Sequence, residues 1–259
     1  MSESAGKTLT VAAILCGVCS VLVAGAVVVL RPRQVINQDL DQKKNILLSA
    51  GLYESQDKID STFNQFVQAV VIDVKTGEVQ QGIEASKFSQ EKADKDPQYV
   101  EDIPKSQDFA TIRRRSRLQK VYLVKKDGAL DQIVFHVYGK GLWSTMKGFL
   151  SVDRDGVTIR GFNYYAHGET PGLGGEIENP RWLEQWKGKK LYDDSGEYRP
   201  KTKVVKGQVN PQDPNAPYSV DGLSGATLTS NGVEGTFRYW LSDSGYKSFL
   251  GKVREGVIQ

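Results

Sequence analysis

Apolar and polar positions along the chain change their period several times. Positions 8–30 hold 23 residues without one charge, from Thr8 to Leu30. At the helical rise that is about 34 Å, enough to cross the hydrocarbon core of a bilayer. Lys7 and Arg31-Pro32-Arg33 frame the run. A signal peptide cut near Ala24-Gly25-Ala26 is the alternative, but the apolar run continues past that point and is long for one. Cys16 and Cys19 read as small side chains in an apolar helix, not as a redox pair. The span carries no charge for a proton or ion path, so it reads as an anchor.

The pattern then becomes amphipathic. Positions 37–50 predict a helix ended by Gly51, with Ile46, Leu47 and Ala50 on its apolar side. Positions 56–68 predict a second, with Ile59, Phe63, Phe66 and Val67 inward. The period next shortens to two. Positions 70–74 and 78–83 flank Lys75-Thr76-Gly77 and predict a hairpin. Positions 84–119 are polar and irregular. Asp127-Gly128 between 121–124 and 132–138 predicts a second hairpin, and Asp155-Gly156 between 149–152 and 157–165 a third. Positions 179–186 predict a short helix with Pro180 near its start and Trp182 and Trp186 in the core. A strand end is expected at 203–206, and a proline-rich loop at 210–217. Asn231 with Glu234 three positions on predicts a capped helix start, and Val233, Phe237 and Leu241 give that helix one apolar face. The tail after Trp240 is short and mixed.

These elements predict an α+β protein: a single N-terminal transmembrane helix, then a mixed, mainly antiparallel sheet with packed helices. The expected divisions are a short segment 1–7, the span 8–30, a helical and hairpin part 31–120, and a last domain 121–259.

Composition narrows the chemistry. A net charge of +3 over 259 residues gives no basis for a nucleic-acid partner. Both cysteines lie in the first thirty residues, so the remainder has no disulfide and no thiolate metal site. No catalytic triad and no metal-ligand cluster is apparent, so no catalytic or metal residue is assigned. The basic cluster Arg113-Arg114-Arg115 with Arg117 reads as a solvated face, or as a surface for acidic lipid or an acidic partner.

Three motifs remain. Asp221 to Thr229 is a run of small and hydroxyl residues leading into the last predicted helix. Gly225 lets backbone approach a ligand, Ala226 adds little bulk, and Ser224, Thr227, Thr229 and Ser230 supply hydroxyls. At a helix start, free N–H groups and the helix dipole favour an anion. The loop is therefore a site for a phosphate, held or covalently attached; a turn with Ser/Thr caps is the plain alternative. His167 to Glu176 is a glycine-rich loop containing Glu169-Thr170-Pro171-Gly172-Leu173-Gly174. Gly139-Lys140-Gly141-Leu142-Trp143-Ser144 nearly spells a dinucleotide fingerprint, but Ser144 stands where the third glycine belongs, and NAD binding on this chain is rejected.

D-x-x-S-G-A-T-x-T resembles the flavinylation motif of the covalent FMN-binding domains found in bacterial redox-driven ion pumps. E-T-P-G-L-G, about fifty residues upstream, resembles the second signature of that family, and G-K-G-L-W also has its counterpart there. The resemblance implies FMN joined by a phosphoester to Thr227. Ser224, Gly225, Ala226, Leu228 and Thr229 would surround it, and Glu169, Thr170, Gly172 and Leu173 would lie against the flavin. Trp143 would cover a ring face or pack in the core, and Lys206 would pair with the phosphate or stand solvated. A threonine hydroxyl is a weak nucleophile without a base, and the chain has two histidines, neither near the motif; the resemblance implies that a separate flavin transferase attaches the cofactor. The implied role is a membrane-anchored electron-transfer subunit within a sodium pump that oxidises NADH and reduces ubiquinone. An Rnf-type ferredoxin/NAD electron-transport complex and a non-redox anchored binding domain are the alternatives. The expected partners are other subunits of the complex, the transferase and membrane lipid. Arg31, Arg33, Lys43 and Lys44 favour an inside location for the large domain, but long domains cross regardless of such counts. The resemblance places the domain on the periplasmic side of the inner membrane.

Overall fold

A computed structural model describes residues 4–193, 195 and 197–258. The chain divides into two compact units, Met1–Lys43 and Lys44–Gln259. The first helix, α1, runs Ala5–Ala50 as one element of 46 residues with Pro32 inside it. The expected span at 8–30 and the helix expected at 37–50 are thus a single helix. Proline removes one hydrogen bond and bends a helix, but does not end one whose flanks keep helical residues. In the first unit the apolar side chains are exposed, Leu9 at 70% and Val29 at 73%. Length and composition suffice for this helix to cross a membrane.

In the second unit, the end of α1 is buried at Ile46, Leu47 and Ala50. Helix α2 is Ile59–Phe66, shorter than expected because the β-branched run beginning at Val67 turns extended. Strand β1 is Val67–Asp73 and β2 is Glu78–Val79. The stretch expected to be irregular contains α3 (Gln90–Ala93) and an antiparallel pair, β3 (Val100–Asp102) and β4 (Arg114–Ser116). Strands β5 (Leu118–Lys126), β6 (Ala129–Lys140), β7 (Thr145–Asp153) and β8 (Ile159–Ala166) follow. Next come α4 (Pro180–Glu184), β9 (Lys203–Val204), β10 (Ser219–Val220), α5 (Thr227–Trp240) and α6 (Lys247–Arg254).

Six strands form one antiparallel sheet in the order β2-β1-β5-β6-β7-β8, and β9 and β10 pair in parallel as a separate two-stranded sheet. Val71 faces Lys120 and Val70 faces Val121 within this sheet. The division expected at residue 120 therefore cuts a strand. The β5–β6 turn is Asp127-Gly128, with φ of 53° and 80°, the left-handed pair of a type I′ hairpin.

Both faces of the sheet are covered. On one, Tyr122, Val124, Val134 and Phe149 meet Ile46, Ala50 and Phe63. On the other lie α5 and α6, with Val233, Phe237, Trp240, Phe249 and Leu250 buried. Trp186 stacks on Phe237 at 4.5 Å with ring planes 4° apart, so this tryptophan belongs to the core as expected. The tail read as mixed contains α6, whose Phe249, Leu250 and Val253 are buried. Eight residues are too few for a firm period.

Helix α5 begins at Thr227, four residues before the expected cap. Asn231 lies inside the helix, and the Glu234 carboxylate accepts the Val204 N–H at 2.8 Å instead of reaching back to the helix start. Small residues let α5 lie directly on the end of β6. A Cβ on Gly232 would stand 2.4 Å from the Lys140 carbonyl oxygen, and one on Gly139 would stand 2.1 Å from Thr236 Oγ1. Gly139 of the near-fingerprint thus serves helix–strand packing.

In the arginine cluster, Arg113, Arg114 and Arg117 are exposed and Arg115 is turned inward. Arg115 is buried, donates to the Ser244 carbonyl and pairs with Glu101 at 3.4 Å. Arg117 pairs with Asp73 at 3.0 Å and Arg114 with Asp102 at 3.8 Å. The alternation of β4 turns Arg115 inward, which a run of like charges does not display in sequence.

Candidate functional site

The S-G-A-T loop ends where α5 begins, so Thr227 is the first helical residue. Its side chain is exposed, as are Ser224, Gly225 and Leu228, whereas Ala226 and Thr229 are buried. Among the described residues no side chain caps this helix, and no acidic residue occupies its first turn. The N–H groups at its start are available to an anion. The motif's leading residue, Asp221, is a tether. Its Oδ1 accepts the Val209 N–H at 2.8 Å, its Oδ2 accepts from Gln185 Nε2 at 3.2 Å, and its carbonyl accepts the Trp182 indole N–H at 2.8 Å. These bonds fix the loop to α4.

The second motif folds against the first. Thr170-Pro171-Gly172-Leu173 is a turn closed by the Leu173 N–H on the Thr170 carbonyl at 3.1 Å, with Gly172 at φ 75°. Proline then glycine at its centre is the signature of a type II turn. Thr170 and Gly172 are exposed on it. Gly225 has φ 69°, and a Cβ there would stand 2.9 Å from Leu173 Cδ2. A side chain at position 225 would meet both strain and a neighbour.

The third motif is the tip of the β6–β7 hairpin, closed by the Gly141 N–H on the Ser144 carbonyl at 2.8 Å. Trp143 is 65% exposed there, so the core reading of this tryptophan does not hold. Leu142, Leu173 and Leu228 are also exposed, giving the three loops an apolar outer surface. Lys206 is exposed, one residue before Gly207, whose carbonyl accepts the Gly222 N–H at 2.8 Å.

Three residues expected at the ligand, Ala226, Thr229 and Glu169, are buried, and the last two bond each other. The Thr229 hydroxyl donates to Glu169 Oε2 at 2.6 Å, with Thr229 1% and Glu169 5% exposed. Glu169 also accepts the N–H groups of Leu142, Trp143 and Ser144. Sequence reading missed Ser144 and His167, which support this arrangement. Ser144 Oγ accepts the Gly168 N–H at 2.6 Å, and His167 Nδ1 accepts the Glu169 N–H at 3.1 Å while its Nε2 faces Glu178. Their place beside the two glycine motifs was the available signal. The other histidine, His136, bonds the Tyr165 hydroxyl, and among the described residues no hydrogen bond joins either histidine to Thr227.

Burial works to raise the Glu169 pKa, but the hydrogen bonds from Thr229, Trp143, Leu142 and Ser144 outweigh it and hold the carboxyl below its ordinary 4.5. A depressed folded-state value stabilises the fold above the unfolded pKa, and that stability is lost as pH falls through the folded one. The gap in urea midpoint between wild type and Glu169→Gln is therefore expected to be flat above about pH 4.5 and to shrink below it. A gap that stays constant down to acid pH contradicts this.

Comparison with known proteins agrees with this geometry. The family described as FMN-binding domain matches residues 141–242, a stretch that holds the Asp221 and His167 motifs whole and the third from Gly141 onward. The NqrC of Yersinia pestis, a subunit of its Na(+)-translocating NADH-quinone reductase, is 46% identical, covering 100% of this chain and 96% of its own length. The corresponding subunit of Pseudomonas aeruginosa is 44% identical, covering 98% of each. Among solved structures, the NqrC of Shewanella oneidensis superposes with a TM-score of 0.77 at 33% identity, over 85% of this chain and 99% of that one. The chain accordingly belongs to the NqrC family, whose members are subunits of the Na(+)-translocating NADH-quinone reductase, an oxidoreductase complex, and it contains an FMN-binding domain.

Proposed function

We propose that Thr227 carries FMN through a phosphoester bond and that the chain relays electrons inside a sodium-pumping NADH:ubiquinone reductase. One observation carries the reading: an exposed threonine hydroxyl opens a helix that no side chain caps among the described residues, against the Leu173 loop. These residues fit a phosphate ester. The first N–H groups of α5 would face its oxygens, Lys206 would offset its charge, and Trp143, Leu142, Leu173 and Leu228 would shield a ring. When bound, the flavin supplies the electron-accepting and electron-donating chemistry. The chain supplies position, and its buried carboxylate network fixes the loops. Neither histidine serves Thr227, which supports attachment by a separate flavin transferase. The exposed apolar run of α1 supports a single-pass anchor in the inner membrane. The family resemblance supports the periplasmic side for the large unit.

The test uses the flavin-loaded chain alone and within the assembled reductase. Alone, its flavin is expected to stay oxidised when NADH is added; in the assembled complex it is reduced within turnover. Protease added to spheroplasts is expected to digest residues after the anchor. Direct reduction by NADH of the isolated chain would refute the relay, and protection in spheroplasts would refute the orientation.

A further inference from the structure

Glu169 is buried, and hydrogen bonds engage both oxygens of its carboxylate. Its Oε1 accepts the N–H groups of Trp143 at 2.9 Å and Ser144 at 3.4 Å, and its Oε2 accepts the N–H of Leu142 at 3.2 Å and the Thr229 hydroxyl at 2.6 Å. Three consecutive N–H groups converging on one carboxylate form an anion nest. Four donors face it, which is the environment of an ionised group. The nest sets the conformation of the hairpin tip that bears exposed Trp143. The fourth donor, Thr229, stands two residues beyond Thr227 on α5. Space is reserved for this junction: a Cβ on Gly141 would stand 2.5 Å from Glu169 Oε1, and one on Gly174 would stand 2.5 Å from Thr229 Oγ1. Glu169 is itself fixed from behind by His167 Nδ1, and His167 faces Glu178.

We propose that Glu169 is a positioning residue that locks the Trp143 loop to the cofactor-bearing helix, and that its buried negative charge holds the reduction potential of the attached flavin down. The inference rests on the reading that Thr227 carries FMN. Glu169 would position the site through Trp143 and α5, which its carboxylate holds, and its charge would act across the space between. A charge buried among backbone dipoles is weakly screened, so adding electrons nearby is disfavoured.

The experiment compares wild type, Glu169→Gln and Thr229→Val, each first shown by intact mass to carry one FMN. Glu169→Gln is expected to raise the flavin midpoint potential and, by freeing Trp143, to brighten flavin fluorescence toward the level of Trp143→Leu. Thr229→Val keeps the charge and releases only the helix arm, so it is expected to brighten the flavin while moving the potential less. Should Glu169→Gln fail to fold, Thr229→Val and Glu169→Asp carry the comparison. Wild-type potential and wild-type emission in loaded, folded variants would overturn the proposal. If wild type itself carries no FMN, the underlying reading has failed, and amide exchange in the unloaded chain then decides the positioning half. Faster exchange at Leu142, Trp143 and Ser144 in Glu169→Gln supports it; unchanged exchange overturns it.

Discussion

Replacing Thr227 with alanine is expected to remove all covalent FMN and leave the fold intact. Thr227 is exposed, and its hydroxyl makes no hydrogen bond among the described residues. Alanine is the better helix former, and surface changes of this kind stay within about 0.5 kcal/mol. Loading is the opposite case, because no other atom at position 227 can form the ester. Thr227→Ser restores a hydroxyl and is expected to restore loading. Intact mass and in-gel flavin fluorescence, with thermal melts alongside, check both halves. Retained covalent flavin in the alanine variant would move the attachment to another residue.

The largest loss of stability is expected from Gly232→Val. The added Cβ would stand 2.4 Å from the Lys140 carbonyl oxygen, 3.1 Å from Met146 Cε and 3.2 Å from Gly141 Cα. Two of these atoms are backbone, so α5 must lift from β6. Overpacking of this kind costs about 3 kcal/mol, which in a domain of this size lowers Tm by roughly 6–12 °C. The same lift would displace Thr229 from Glu169. Gly82→Ala is the control, since nothing lies within 4 Å of its added Cβ. Equal melting temperatures for Gly232→Val and wild type would show that α5 does not rest on β6 as described.

What the sequence displays and what it hides follow from the range of each interaction. Asp127-Gly128 announced its hairpin because turn type depends on two neighbouring residues. The Val233-Phe237-Leu241 stripe announced the buried face of α5 because helical period is local: Val233 and Phe237 are buried on the helix, and Leu241 is buried just past its end. The start of that helix was misplaced by local logic as well. Asn231 and Glu234 spell a capping box, but Glu234 is taken by Val204, thirty positions upstream. Range also governs the site. The acceptor loop was legible as small residues before a helix. That Thr229 and Glu169, sixty positions apart, would turn inward and bond each other was not. Nor could the arginine cluster reveal that Arg115 points into the protein toward Glu101 and Ser244. Gly139 and Gly141 resembled part of a nucleotide fingerprint because close backbone approach needs glycine whether the neighbour is a phosphate or a helix.

The central claim is that this chain carries one FMN at the first residue of α5. The direct measurement is peptide mapping by fragmentation mass spectrometry, on protein co-expressed with a flavin transferase. The account predicts a single flavin-phosphoryl increment, localised to Thr227 and absent from Ser224, Thr229 and Ser230. No increment from an active transferase, or an increment on one of those neighbours, would contradict it.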